Sequence, residues 1–296
     1  MELEPGFPLS RLTTIGTGGP ATALARPTSL SELEHAIAWA AGRGLAVLAV
    51  GLGSNVLAAD EGVDALVVRL EGDLAAVELD GELLRAGGGA INAVCLHRAR
   101  GAGLGGIEFA CAIPGTAGGG VRMNAGAYGS DWSAILERAL VVSGEGSGWL
   151  TAAELGLSYR HSALVPGEVV ARVEYRLTPR DPAEIKAEVA ELVARRKASQ
   201  PTTKRTFGSV FKNPDGAAGA GQMIEACGLK GHRIGGAVIS PRHANFIENA
   251  GEATSADCVG LMDEARRRVR EELGIELEQE VVFLGSVAPG PHSERV

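Results

Sequence analysis

Three side chains in this sequence stand out for the chemistry that their type and setting could support: Arg160, Ser209 and Glu280. Arg160 lies between Tyr159 and Ser162, and a guanidinium beside small hydroxyl groups can fork onto a carboxylate. Ser209 follows Gly208 directly, so its hydroxyl can stand on an open turn. Glu280 opens an apolar run, Val281–Leu284, and a carboxyl at such an edge has its pKa raised if it is buried. A surface arginine, a turn serine and a rim glutamate fit the same settings, so type and spacing alone leave the choice open.

Two stretches of nearly bare backbone accompany them. The segment from Ile113 through Pro114, Gly115, Gly118, Gly119, Asn124 and Gly126 to Tyr128-Gly129 holds six glycines and one proline. Gly51-Leu52-Gly53-Ser54-Asn55 follows the apolar run Leu45–Val50. Glycine is needed where φ is positive or where another group must approach the main chain closely. That group can be a phosphate or pyrophosphate held by successive N–H groups, or simply a second element packed tightly. A strand running into a glycine turn is the order of a nucleotide-binding loop, and two such loops point to a large cofactor cradled twice. Gly101-x-Gly103-x-x-Gly106 matches the dinucleotide fingerprint as a string, but it follows a helix rather than a strand, and the match is read as accidental.

Composition removes several other classes. With 45% hydrophobic and 22% charged residues in 296, the chain is ordinary globular material, long enough for two or three domains. Its 42 glycines lack any collagen-like period, so they mean tight turns and backbone-lined sites. A formal charge of -8 gives no electrostatic case for nucleic acid or an anionic membrane surface. Arg266-Arg267-Arg268 is interleaved with Asp263, Glu264, Glu271 and Glu272 and reads as an ion-paired helix face. The six histidines show no metal-ligand spacing, and no Gly-Lys dipeptide exists for a Walker loop, so neither a metal nor that kind of ATPase is expected. Cys95, Cys111, Cys227 and Cys258 contain no C-x-x-C pair; with no basic leader and no long apolar window, a cytoplasmic protein with reduced thiols is expected.

The elements that must position these residues read as α+β. Ser29 with Glu32 predicts a capped helix carrying Leu33, Ile37 and Ala40-Ala41, stopped by Gly42 and Gly44, with a strand over Leu45–Val50. Short strands are predicted at Ala65–Leu70, Leu74–Leu79 and Leu83–Ala86, with hairpins at Glu71-Gly72-Asp73 and Asp80-Gly81-Glu82. Helices follow at Asn92–Arg100 and Asp181–Ala198, with strands at Arg138–Ser143 and Val169–Leu177. Ser199–Thr203 then breaks the pattern and marks a domain boundary. Beyond it come a short helix from Ala220, strands at Ala237–Ser240 and Phe246–Asn249, an amphipathic helix Ala256–Leu273, a strand Glu280–Leu284, and a frayed tail Ala288–Val296.

Taken in order, five motifs carry more than their spacing does. They are Gly51-x-Gly53-Ser54-Asn55-x-Leu57, Ile113-Pro114-Gly115-x-x-Gly118-Gly119 with Met123–Gly129, Tyr159-Arg160-x-Ser162, Gly208-Ser209-x-Phe211-Lys212-Asn213-Pro214, and Leu277-x-x-Glu280-Val281. Together, over about Leu12 to Gly285, the chain resembles the UDP-N-acetylenolpyruvoylglucosamine reductase family. The resemblance implies a vanillyl-alcohol-oxidase-like FAD-binding region of two subdomains, about 1–72 and 73–200, then a substrate-binding α+β domain over 201–287. It implies non-covalent FAD, with Gly51, Gly53, Ser54 and Asn55 on the pyrophosphate and Pro114, Gly115, Gly118, Gly119, Asn124 and Gly126 along the rest of the cofactor. It implies NADPH as hydride donor and the enolpyruvyl ether of UDP-N-acetylglucosamine as acceptor, giving UDP-N-acetylmuramate for peptidoglycan. Arg160 and Glu280 would hold the substrate carboxylate and Ser209 would give the proton. Lys212 and Asn213 would reach the diphosphate or sugar, with Tyr128 and Gln222 as further substrate contacts. No protein, nucleic-acid or membrane partner is implied.

Departures from that pattern fall in Thr202–Phe207, where the usual Leu and Pro-Ser pair are missing. Residues 161–208 leave no room for the extra tyrosine-bearing loop of longer members, so the shorter variety is expected. Two other readings share the glycine loops: a different flavin oxidase of this fold acting on an alcohol or hydroxy acid, and a non-catalytic flavin or nucleotide-sugar module.

Overall fold

The computed structural model describes residues 2–287, so the tail expected at 288–296 lies outside the described residues. The described chain gathers into two compact units. The first comprises the chain up to Pro5, Thr22–Leu52 and Ala65–Arg196; the second comprises Gly6–Ala21, Gly53–Asp64 and the chain from Lys197 onward.

Two sheets build the first unit. One runs Leu3–Pro5, Ala21–Ala25, Val63–Val68, Ala46–Ala49, with the last pair parallel. Helix α1, Leu30–Ala41, places Leu33, Ala36, Ile37 and Ala40 against Leu66 and Val68 of that sheet. Ser29 caps it by accepting from Glu32 N, but the Glu32 carboxylate bonds Thr28 N at 2.8 Å, one residue before the position of a standard capping box. The other sheet is antiparallel throughout: Gly146–Thr151, Leu136–Ser143, Val169–Arg176, Leu83–Gly87, Val77–Asp80. Helices α2 (Asn92–Gly101), α3 (Ala117–Met123) and α4 (Pro182–Ser199) complete the unit. In its core the Trp132 ring stacks on Tyr175 at 4.7 Å and meets Phe109 edge-on at 5.1 Å.

Three sequence expectations change here. Leu74–Leu79 is not one strand: Gly72–Ala75 is a 3-10 turn and the strand begins at Val77. Glu71-Gly72-Asp73 is not a hairpin either, because Val63–Val68 and Val77–Asp80 belong to different sheets and the turn carries the chain between them. The hairpin partner Gly146–Thr151, whose run Gly-Ser-Gly-Trp has little apolar alternation, was not anticipated.

One buried charge ties three strands of the antiparallel sheet together. Glu174 is opposite Arg138 on one neighbour and Arg85 on the other, and it accepts from their guanidinium groups at 2.6 and 3.3 Å. The Arg138 hydrogen bond holds its carboxyl below the usual carboxylate range, against the opposing effect of burial. Glu174→Gln is therefore expected to lower stability by about 1–2 kcal/mol at neutral pH. Because the folded pKa is depressed, that contribution is complete above the ordinary carboxylate pKa and fades as pH falls through the folded value. Denaturant titrations of both proteins should converge in acid; a gap that persisted there would refute the ionic origin.

In the second unit an antiparallel sheet ordered Thr206–Ser209, Phe246–Asn249, Ala237–Ile239, Arg233–Ile234 packs on α5 (Ala220–Ala226) and α6 (Ser255–Leu273). Phe207, Phe211, Met223, Ile224, Met262 and Val269 fill the space between. Val282–Leu284 pairs in parallel with Val56–Ala58, so the final strand starts two residues later than expected and Glu280 precedes it. Thr254 and Asp257 form a capping box at α6, and Asp60 accepts from Ser255 N and Ala256 N at the same end. On its exposed face Arg267 pairs with Glu264 and Glu271, and Arg268 with Glu272, the solvated ion-paired surface expected from the sequence. Among the described residues no helix is long and apolar enough to cross a membrane.

Candidate active site

The first unit contains a cavity of about 310 Å³ walled largely by main chain: Gly51-Leu52, Gly88-Gly89, and Thr116 with Gly118 and Gly119. Its walls are stitched to one another. Gly118 N donates to Gly88 O and Ala117 N to Ala90 O, each at 2.8 Å, while Gly88 N donates to Ala171 O at 2.7 Å. The glycines are needed for that closeness. A Cβ on Gly88 would stand 1.9 Å from Val170 O, one on Gly118 2.8 Å from the same atom, and one on Gly51 2.5 Å from Thr116 Oγ1. Gly119 differs: it lines the cavity, and a Cβ there meets nothing nearer than Thr116 Oγ1 at 3.5 Å. An exposed glycine in the cavity wall leaves bare main chain that a flat cofactor can approach closely. The cavity also lies in the size range of small-molecule sites.

Of the successive N–H groups that could hold a phosphate in the stretch Ile113–Gly129, several are already bonded. Ala117 N and Gly118 N are taken by carbonyls, and Gly119 N reaches the capping Thr116 Oγ1 at 3.4 Å. Pro114 is exposed, and Gly115 O accepts from Asn92 N. Asn124, 1% exposed and left-handed at φ 37°, gives its side chain to the protein: Nδ2 donates to Ser158 O and Oδ1 accepts from Ser133 N. Gly126 O accepts from Arg160 Nη2 at 2.7 Å, and a Cβ on Gly126 would lie 2.6 Å from Ser130 O. Arg160 is half-buried with φ 52°, in a tight turn closed by Ser158 and His161, so its main chain is held in a region that side chains rarely adopt. Ser162 Oγ donates to Arg122 O at 2.6 Å and anchors the same turn. Tyr128, also left-handed at φ 55°, donates its hydroxyl to Leu192 O, and Arg195 lies over its ring.

The other sequence-predicted residues meet in the second unit. Gly53, with φ 64°, fits under Leu12 O, where a Cβ would approach to 1.9 Å; Gly53 O accepts from Thr14 N. Asn55 Nδ2 donates to Glu280 O at 3.2 Å, and Val282 N to Asn55 O at 3.0 Å. Glu280 N donates to Val210 O at 2.9 Å, so the half-buried Glu280 and Ser209 sit on adjoining stretches of chain. A Cβ on Gly208 would lie 3.1 Å from Ser54 O, which brings the Ser54 segment to the same place. The half-buried Ser209 hydroxyl makes no hydrogen bond among the described residues. Lys212 is held by Glu278, its Nζ 2.6 Å from the carboxylate. Asn213 Oδ1 accepts from Ala220 N and Gln222 Oε1 from Gly219 N, so both side chains cap α5.

Sequence reasoning did not single out Gly88 and Gly89, although Gly87-Gly88-Gly89 directly follows a predicted strand and carried the same signal as the two clusters that were chosen. It also missed Asn245. That 4% exposed amide accepts from Phe211 N and donates to Phe211 O, fixing the stretch just after Ser209. Nothing in the local sequence marks it.

Comparison with known proteins covers nearly the whole chain. A family model described as the UDP-N-acetylenolpyruvoylglucosamine reductase C-terminal domain matches residues 200–284, and one described as an FAD binding domain matches 21–149. The UDP-N-acetylenolpyruvoylglucosamine reductase of Anaeromyxobacter dehalogenans is 44% identical over 95% of this chain and 85% of its own length. That of Novosphingobium aromaticivorans is 42% identical over 96% of each. The crystal structure of the UDP-N-acetylenolpyruvylglucosamine reductase from Thermus caldophilus superposes with a TM-score of 0.84 at 38% identity, covering 96% of this chain and 99% of that one.

Proposed function

Since the chain belongs to the UDP-N-acetylenolpyruvoylglucosamine reductase family, we propose that Ser209, Arg160 and Glu280 divide between them the proton and charge handling of its reaction. The protein is an FAD-dependent oxidoreductase of peptidoglycan synthesis with the vanillyl-alcohol-oxidase-like fold, reducing the enolpyruvyl ether of UDP-N-acetylglucosamine to UDP-N-acetylmuramate with NADPH. Bound FAD supplies two-electron hydride chemistry, taken from NADPH and given to the enolpyruvyl methylene carbon.

Addition of hydride drives negative charge through the neighbouring carbon into the substrate carboxylate. Arg160 forks onto that carboxylate, with its guanidinium braced by Gly126 O. Glu280 donates to it in its protonated form, since an ionised glutamate would repel the growing charge. Ser209 delivers a proton from its hydroxyl to the carbon next to the methylene; the weak acid suffices because the enolate is strongly basic. Lys212 and Asn213 reach the diphosphate or sugar, and Tyr128 and Gln222 complete the substrate contacts. Residues 1–200 form the flavin-holding region, with Gly51, Gly53, Ser54 and Asn55 at the pyrophosphate and Pro114, Gly115, Gly118, Gly119, Asn124 and Gly126 along the cofactor; residues 201–287 form the substrate domain. The enzyme works in the cytoplasm without a protein partner and serves cell shape and division.

One observation supports the assignment above the others: Glu280 N bonds Val210 O, beside a Ser209 hydroxyl that makes no hydrogen bond among the described residues. Two groups able to act on one substrate carbon and its carboxylate are thereby borne on adjoining segments. Without oxygen, the yellow FAD-loaded protein is expected to bleach with NADPH and to regain its absorbance on addition of the enolpyruvyl nucleotide. Recovery only on admitting air would refute this reading in favour of an oxidase.

A further inference from the structure

One cation facing the flavin cavity lacks a carboxylate in contact with it. Arg122, on α3 three residues past Gly119, lines the cavity, and its guanidinium reaches residues 165–168, of which Glu168 lines it too. That group donates only to main-chain carbonyls: Nη1 to Glu168 O and Nη2 to Val165 O, both at 3.3 Å. Among the described residues it forms no ion pair; the Glu168 carboxylate nearby accepts from Val165 N at 2.8 Å. Burial lowers the Arg122 pKa, and the Glu168 charge acts in the opposite sense. The other arginine lining the cavity is differently placed. Arg69 lies 3.9 Å from Glu71, which also takes Arg26 at 2.6 Å.

A desolvated guanidinium bonded only to neutral carbonyls is unfavourable until an anion compensates it. The main chain beside it has little to offer such an anion, because Ala117 N and Gly118 N are already bonded. In oxidised FAD the formal negative charge resides on the diphosphate. We propose that Arg122 supplies the counter-charge for the diphosphate of bound FAD, acting as a specificity residue for the dinucleotide over uncharged flavins. The inference rests on the flavin reading of this cavity and adds to it a residue outside the five motifs.

The test is equilibrium binding of FAD to flavin-stripped full-length protein at several ionic strengths, for wild type, Arg122→Gln and Arg122→Lys. Arg122→Gln should weaken FAD about tenfold or more at low salt. Its affinity should also vary less with salt than that of wild type, because one screened attraction is gone. Arg122→Lys keeps the charge while losing the forked bonds to Val165 O and Glu168 O, and should keep most of the salt dependence. If the role were only to tie down residues 165–168, the Lys and Gln variants would weaken alike, by one factor at every salt concentration; that result overturns the proposal. Unchanged affinity in both variants overturns it as well. Wild-type protein that takes up no FAD at all would sink the flavin reading itself, and is distinguishable from either outcome.

Discussion

Ser209→Ala protein is expected to load with FAD, to be bleached by NADPH at close to the wild-type rate, and then to return to the oxidised form about 10²–10⁴ times more slowly when the enolpyruvyl nucleotide is added. The asymmetry follows from where a proton is needed. Reduction by NADPH asks nothing of this hydroxyl, whereas the second half-reaction leaves a carbon with electron density and no hydrogen. Removing one oxygen should disturb little else, because Ser209 is half-buried and its hydroxyl makes no hydrogen bond among the described residues. The edge strand Thr206–Ser209 is held by its pairing with Phe246–Asn249, and Asn245 fixes Phe211 beyond it, neither through the serine side chain. Stopped-flow absorbance separates the two halves directly. Equal slowing of both would mean that the substitution acts through folding or flavin placement, and a second half-reaction at the wild-type rate would remove Ser209 from the chemistry.

Gly119→Ala should give a protein as stable as the parent but poorly able to hold FAD. A Cβ at this position meets only Thr116 Oγ1, at an ordinary contact distance of 3.5 Å, and the residue lies within α3. Replacing glycine by alanine in a helix favours the fold by about 0.5–1 kcal/mol. Gly119 nevertheless lines the cavity, so the new methyl group is expected to take space that the cofactor needs, and a tenfold loss of affinity corresponds to about 1.4 kcal/mol of lost contact. Gly88→Ala is the contrasting case. Its Cβ would lie 1.9 Å from Val170 O, so the main chain must move, and the bonds from Gly88 N to Ala171 O and from Gly118 N to Gly88 O are strained or lost. A loss of stability of about 2–4 kcal/mol is expected together with the loss of FAD. Thermal unfolding of each variant, stripped and with added FAD, separates the pair. Undiminished FAD binding by Gly119→Ala would show that this wall does not face the cofactor.

These two glycines also mark what the sequence can and cannot tell. The density of glycine announced a backbone-lined site, and the five ordered motifs led to the family that the relatives identify. A glycine letter does not say what occupies its missing Cβ space. At Gly51, Gly88 and Gly118 the protein itself fills that space, and at Gly119 it does not, a difference that exists only after folding. The same limit applies to Asn124, whose side chain is engaged by Ser158 O and Ser133 N. Amphipathic helices were legible because their periodicity is local: α1, α4 and α6 lie where the spacing put them. The turn Gly72–Ala75 and the strand Gly146–Thr151 were not, since which sheet a short segment joins is decided by partners distant in sequence.

The stacked Trp132 and Tyr175 belong to a wider asymmetry between the two units. Trp39, Trp132 and Trp149, together with Tyr128, Tyr159 and Tyr175, account for every indole and phenol in the chain, and all six fall in the first unit. Indole and phenol absorption, and tryptophan fluorescence, therefore originate there alone. A melting curve recorded by tryptophan emission follows the loss of that unit and is blind to the sheet that carries Ser209, whose unfolding has to be watched by circular dichroism or by a label placed within it.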